Sequence, residues 1–385
     1  MSEDSFTEVT NQSWFSRIGD SIKGIIVGIV IFIIAFPVLF LNEGRAVRTY
    51  KTLKEGAGKV VTIDSATVDP ANEGKLVYLT GKAVTDETLT DGQFGVSANA
   101  IKLKRNVEIY QWKEKKSTSK KKKTGGSTQT TTTYNYTKAW SKTLVKSSSF
   151  NKPSGHVNPT SMPFSMKNQK ATNVKLGGFD LSSGLIGKIN AYESLPVTDS
   201  VAIPAELASK LKKHNGGFYY GSNPASPAVG DMKITFQAVK PLEVSMISKQ
   251  IGSTFEPYLS KTGKNLEMVK AGTHSADLMF AAAKKSNAAM TWMLRGLGLI
   301  LMFVGITMVM KPLSVVADVL PFLGNLVEAA SGLVAFLIAG LCSTLVIAIA
   351  WIIFRPLLGI FLLLIAGGIA YALKVVADKK KEAVA

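Results

Sequence analysis

From Gly24 to Leu41 the chain runs 18 residues without a charge. As a helix this stretch is about 27 Å long, close to the roughly 30 Å hydrocarbon thickness of a bilayer. Asn42, Glu43, Gly44 and Arg45 follow at once, and their bulk and charge do not suit a signal-peptide cleavage site. The run is therefore read as an uncleaved transmembrane helix over residues 24–41, preceded by an N-terminal tail, 1–23. Asn42 and Gly44 are read as its helix-breaking end, with Arg45 and Arg48 reaching the headgroups. Gly24 and Gly28 form a small-xxx-small pair through which a second helix can approach closely.

Apolar residues return near the C-terminus and predict three further spans, 286–310, 333–354 and 356–373, four in all. Between the second and third, residues 311–332 place Val315, Val319, Leu323 and Leu326 at helical spacing, with Asp318 and Glu328 interrupting. This segment is read as an amphipathic connection lying along the interface. Arg355 and Pro356 mark a tight tip between the last two spans, and a basic tail, 374–385, follows. The chain is 46% hydrophobic with a mean hydropathy of +0.19, which places it in the membrane class. Cys342 is the single cysteine, so an internal disulfide is excluded. Seven cationic residues flank the spans on each side, so charge alone leaves the orientation open.

Residues 42–285 are polar enough for a soluble domain, and β-branched and aromatic residues dominate them. In Met232–Val239 the residues Met232, Ile234, Phe236 and Ala238 share one face, as in a half-buried antiparallel strand. Arg105 interrupts the apolar face of a second strand and is read as either an edge-strand guard or an ion-pair partner. The predicted fold is thus a multi-pass α-helical membrane protein with a large mainly-β (α+β) domain inserted between the first and second transmembrane helices.

The net charge of +18 is concentrated between Lys102 and Lys146, where thirteen Lys/Arg face only Glu108 and Glu114. The lysine run, Gly125-Gly126 and a threonine tract predict a long β-hairpin with a flexible basic tip, 113–138. Such a tip could contact anionic lipid or nucleic acid, but it lacks interleaved aromatics, so a solvated, variable loop is preferred. Two helices are predicted nearby. One starts at Pro204 and stops at Asn215-Gly216-Gly217; the other is N-capped by Ser275 and runs without a breaker into the second span. On the latter Asn287, Thr291 and Arg295 recur every fourth residue beside Trp292, read as an interfacial anchor with Arg295 snorkelling.

No motif for phosphate, dinucleotide or nucleophile chemistry is present, and His156, His214 and His274 lack metal-ligand spacing. No catalytic, cofactor or metal site is predicted. Acids such as Glu73, Glu108, Asp180 and Asp231 are read as surface or ion-pair groups.

Taken in order, "LNEGRAV", "NEGKLVYLTG", "IKLKRNVEIYQWKE", "YNYTKAWS", "GHVNPTSM", "GFYYGSNP", "PAVGDMKITF" and "FRPLL" resemble the LUMA family, also called the transmembrane protein 43 family. The likeness runs nearly end to end, departing in the lysine-rich hairpin tip and around Pro241. The resemblance implies four spans, a large non-cytosolic domain, cytosolic or nucleoplasmic termini and no established catalytic residues. It implies residence in the endoplasmic reticulum or inner nuclear membrane of a eukaryote, with self-association and, in nuclear-envelope members, emerin and lamins as partners. In a bacterium the equivalent is the inner membrane. The function expected is a non-enzymatic membrane organiser or scaffold, whose partners are the lipid bilayer, other copies and other membrane proteins rather than nucleic acid. The alternatives are an envelope-stress sensor or defence component and, third, a membrane-associated hydrolase.

Overall fold

The computed structural model describes residues 4–358 and 361. It divides into two compact units. One comprises Met1–Val9, Lys54–Ser119 and Thr131–Ala281; the other comprises Thr10–Leu53, Lys120–Thr130 and Ala282–Ala385.

The first unit is built on two mainly antiparallel sheets. In one, Met232–Val239 pairs with Lys102–Lys122, setting Met232 opposite Ile109 and Ile234 opposite Val107. The alternation read from the sequence puts Met232, Ile234 and Phe236 into a core with Phe94, Phe164 and Phe218. Arg105 is an ion-pair partner on an internal strand. It is buried, bonds to Asp91 at 3.0 Å and lies over the ring of Phe94. In the second sheet Leu76–Val84 pairs with Leu242–Ile251. The turn before it uses the second Asn-Glu-Gly: Asp69 caps the 3-10 turn Pro70–Asn72, and Gly74 takes φ +72°. Glycine suits that left-handed position because a Cβ would be strained there. Leu185 and Ile186 of a short helix, Ser183–Lys188, close this sheet's core.

The helix predicted from Pro204 is corrected. Only Ala205–Leu207 is helical, as a 3-10 turn, and Leu211–His214 is a strand paired with Gly217–Tyr220. Asn215 and Gly216 both take positive φ, the requirement of a type I′ hairpin turn. What reads as a helix stop is a hairpin signal.

The second unit is carried by three long helices, α1 (Trp14–Lys59) and two whose ranges are Ala276–Ala317 and Pro321–Phe354, here α2 and α3. All three are long and apolar enough to cross a membrane. Their outward residues, among them Ile26, Ile33, Leu297, Ile300, Leu337 and Leu341, are exposed apolar side chains suited to lipid.

Two readings of this region change, and a third holds. α1 does not end at Asn42 or Gly44 but continues unbroken to Lys59, and it begins at Trp14, inside the expected tail. Residues 311–332 are the end of α2, a turn at 318–320 and the start of α3. Phe354 ends α3, and Arg355 bends the chain before helical Pro356–Leu358. Most of the fourth expected span, 356–373, and the tail 374–385 lie outside the described residues. The expectation that α2 starts beside Ser275 holds: the Leu278 N–H donates to the Ser275 hydroxyl at 3.3 Å, and no break follows.

Small residues let these helices pack. A Cβ added to Gly28 would lie 2.7 Å from the Gly305 carbonyl oxygen, and one on Gly305 would meet Gly28 at the same distance. Gly298 likewise faces Leu39 too closely for a side chain. Gly28 therefore serves close approach, as its sequence pairing suggests. Gly24 does not, since a Cβ there would reach only Met308, at 4.0 Å. On α3 the buried Ala335, Ala339, Ser343, Val346 and Ala350 recur at helical spacing and form its packed face.

Candidate functional site

The helical unit buries one carboxylate near each end of its apolar core. The first is Glu43, fully buried on α1. Arg295 of α2 grips it with two parallel bonds, Nε to Oε1 at 2.6 Å and an Nη to Oε2 at 2.9 Å, while the Trp351 indole of α3 donates at 2.8 Å. The bidentate fork is the strong form of this pair. The guanidinium also lies over Trp292, 4.7 Å from the ring centre, and over Trp351 at 5.6 Å; Arg355 lies over Trp351 at 5.8 Å.

One face over, Arg45 donates to Asn287 and Asn42, both at 3.0 Å, and to Thr291 at 3.1 Å. Asn42 donates to the Thr291 carbonyl and Asn287 to the Ala46 carbonyl. These contacts explain why α1 does not stop at Asn42-Glu43. Polar residues that would end an isolated helix are satisfied here by the stripe on α2. Gly44 completes the fit, because the Phe354 ring occupies the space its side chain would need, 2.7 Å from a Cβ.

Of the boundary residues read from the sequence, Glu43, Arg45, Trp292, Arg295 and Arg355 thus come together. Arg48 is exposed and its carbonyl accepts from Thr52, Pro356 is exposed, and Gly24 and Gly28 lie elsewhere along α1. Arg295 does not snorkel; its charge points into the helix bundle. Trp351 was missed, although an indole at the end of an apolar run is a signal available in the sequence, and Asn42 was read as a helix breaker rather than as a partner of Arg45.

The second buried carboxylate is Asp318, in the turn between α2 and α3. Arg17 of α1 bonds to one oxygen, and Lys122 of the hairpin tip lies 2.8 Å from the other. Lys122 also reaches Glu328 at 2.8 Å and Asn325 at 3.0 Å, and Lys311 reaches Glu328 at 2.6 Å. Burial opposes charge on Lys122, but its bonds to Asp318 and Glu328 outweigh that and raise its pKa. The tip is therefore not a free solvated loop. Gly125 donates to the Val319 carbonyl at 3.0 Å, and Gly126, at φ +78°, leaves the room that Trp14 fills. Trp14 in turn donates to the Val315 carbonyl at 2.7 Å.

Elsewhere the chemistry is local. His156 is buried in the β unit, its ring nitrogens 2.8 Å from the Lys152 carbonyl and 2.7 Å from Asp4, with Tyr136 stacked on it. Glu73 accepts from the Gly252 N–H and Asp231 from Tyr219 and Ala228. Among the described residues no group of His, Cys, Asp and Glu is arranged to hold a metal ion.

Comparison with known proteins gives a consistent result. Residues 109–356 match the family model described as Transmembrane protein 43. The chain is 33% identical over 365 residues to Transmembrane protein 43 of Homo sapiens, covering 92% of this chain and 89% of that protein. The rat protein, from Rattus norvegicus, is 33% identical over 355 residues, covering 89% and 88%. The Transmembrane protein 43 homolog of Drosophila melanogaster is 30% identical over 351 residues, covering 89% and 92%. No solved structure matches. With a family model over more than half its length and relatives aligned nearly end to end, the chain belongs to the transmembrane protein 43 (LUMA) family.

Proposed function

We propose that this protein is a non-enzymatic membrane organiser that works by self-association and by holding partner proteins at the bilayer. The observation that carries the reading is the Glu43–Arg295–Trp351 junction, which fastens α1, α2 and α3 to one another through fully engaged groups. A carboxylate with both oxygens committed to a fork and an indole is suited to holding helices in place rather than to proton transfer. A bundle so fixed presents a constant apolar surface, on which Leu337, Leu341 and Leu345 recur along α3, for contact with lipid or another helix.

The same reading includes a fourth span over 356–373, a non-cytosolic β domain and cytosolic or nucleoplasmic termini. It places the protein in the endoplasmic reticulum or inner nuclear membrane of a eukaryote, or the inner membrane of a bacterium. The family resemblance supports these assignments. Crosslinking in native membranes followed by mass spectrometry should recover a homo-oligomer or a defined membrane partner. A strictly monomeric protein with no recurring neighbour would contradict the organiser role.

A further inference from the structure

Two cavities of about 540 and 520 Å³ adjoin in the helical unit and share Asp20, Ser21, Lys311 and Glu328 on their walls. They differ in chemistry. The first runs among Gly24, Phe303, Thr307, Met308 and Gly332. It exists because two glycines leave it open: a Cβ on Gly24 would reach only Met308, at 4.0 Å, and one on Gly332 would meet nothing within 4 Å. The second is lined by Arg17, Lys120, Lys122, Thr128 and Thr130.

Charge in the second cavity is unbalanced toward positive. Asp318 is engaged by Arg17 and Lys122, Glu328 by Lys122 and Lys311, and Asp20 by Lys23. Lys120 has no acidic partner among the described residues. A separate observation points to a ligand there. The Thr128 hydroxyl is buried, on a residue only 6% exposed, and has no hydrogen-bond partner. A buried hydroxyl left unpaired is unfavourable, so an acceptor is expected beside it. The position along α1 fits as well. Gly24 opens the charge-free run, so the apolar cavity begins where hydrocarbon begins, and Arg17 lies about two helical turns outside it, at headgroup level.

We propose that the two cavities together bind one acidic phospholipid. Its phosphate is held by Lys120, Lys122, Arg17 and the Thr128 hydroxyl, and one acyl chain lies in the cleft between Gly24 and Gly332. Basic pockets between membrane helices recognise anionic headgroups by this combination of charge and hydrogen bonding. The proposal rests on the membrane reading of the helices and is independent of the organiser role.

The test is native mass spectrometry of the full-length protein in mild detergent, with equal concentrations of phosphatidylglycerol and phosphatidylcholine, and with glycerol phosphate as the headgroup alone. Wild type should retain phosphatidylglycerol about tenfold better than phosphatidylcholine, and glycerol phosphate should be lost. Lys120→Glu, which breaks no ion pair, should abolish the preference. Thr128→Val should weaken it several-fold, and Gly24→Leu should lower retention of both lipids; a thermal melt checks that each variant is folded. Equal retention of the two lipids by wild type would overturn the proposal. So would an undiminished preference in folded Lys120→Glu and Thr128→Val, or glycerol phosphate bound as well as the intact lipid. Should Gly24→Leu not fold, Thr307→Leu replaces it.

Discussion

The two ends of the helical unit solve the same problem in different ways. Each buries an acid completely, Glu43 at one end and Asp318 at the other. At the Glu43 end the partners are an arginine fork and an indole, all on helices, and Phe354 packs on Gly44. At the Asp318 end the partners come partly from a hairpin tip, they have alternative acids in reach, and a cavity with an unpaired hydroxyl opens beside them. Taking an ion pair out of water is costly, so its geometry must be nearly complete to be tolerated. The first end meets that condition and fastens. The second leaves positive charge unmatched and is suited to receive a ligand.

The largest expected effect follows from breaking the first end. Arg295→Ala leaves Glu43 buried with only the indole for a partner and should cost about 3–5 kcal/mol, with loss of folded protein in detergent. Asp318→Ala should cost less, about 2 kcal/mol, because Lys122 keeps Glu328 and Asn325. Gly28→Val, midway between the two ends, should cost about 1–3 kcal/mol by forcing α1 and α2 apart at Gly305. Unfolding midpoints of the purified variants rank all three.

A smaller effect separates the ends by pH. The folded-state pKa of Lys122 is raised, so the folded protein holds that proton more tightly than the unfolded chain. Its contribution is complete below the ordinary lysine value of 10.5 and is lost as pH rises through the raised value. The midpoint difference between wild type and Lys122→Met should therefore be constant up to about pH 10 and shrink above it. An unchanged difference through pH 12 would show that the tip does not depend on this charge.

The last prediction concerns docking rather than energy. In a Cys342→Ser background, a cysteine at Ser127 should be labelled from the same side of the membrane as one at Ser13. Ser13 precedes Trp14, and the Trp14 ring packs on Gly126, the residue before Ser127. A polar hairpin tip at membrane depth has to be covered by protein or water. Labelling of Ser127 from the opposite side would mean an undocked tip and would remove the basic half of the lipid site.

Much of this was legible before the fold was known, because it depends on local pattern. The apolar runs located the three long helices, and alternation located the strand Met232–Val239. Glu43, Arg45, Trp292, Arg295 and Arg355 stood out singly as polar or aromatic residues at the margins of apolar runs. Their assembly was not legible. Arg295 lies 252 residues from Glu43, and nothing local to Asn42-Glu43-Gly44 says that a stripe on another helix will satisfy it. The same short range misread Asn215-Gly216, where a hairpin turn and a helix stop share one signature, and left the hairpin tip free when Asp318, Glu328 and Trp14 hold it.

The most direct test is a single comparison of unfolding midpoints, Glu43→Ala against Asp318→Ala, in the same detergent. If Glu43 is the fastening that holds the bundle, its loss lowers the midpoint by clearly more than the loss of Asp318. Equal shifts, or a larger one for Asp318→Ala, would contradict the assignment of fastening to one end and reception to the other.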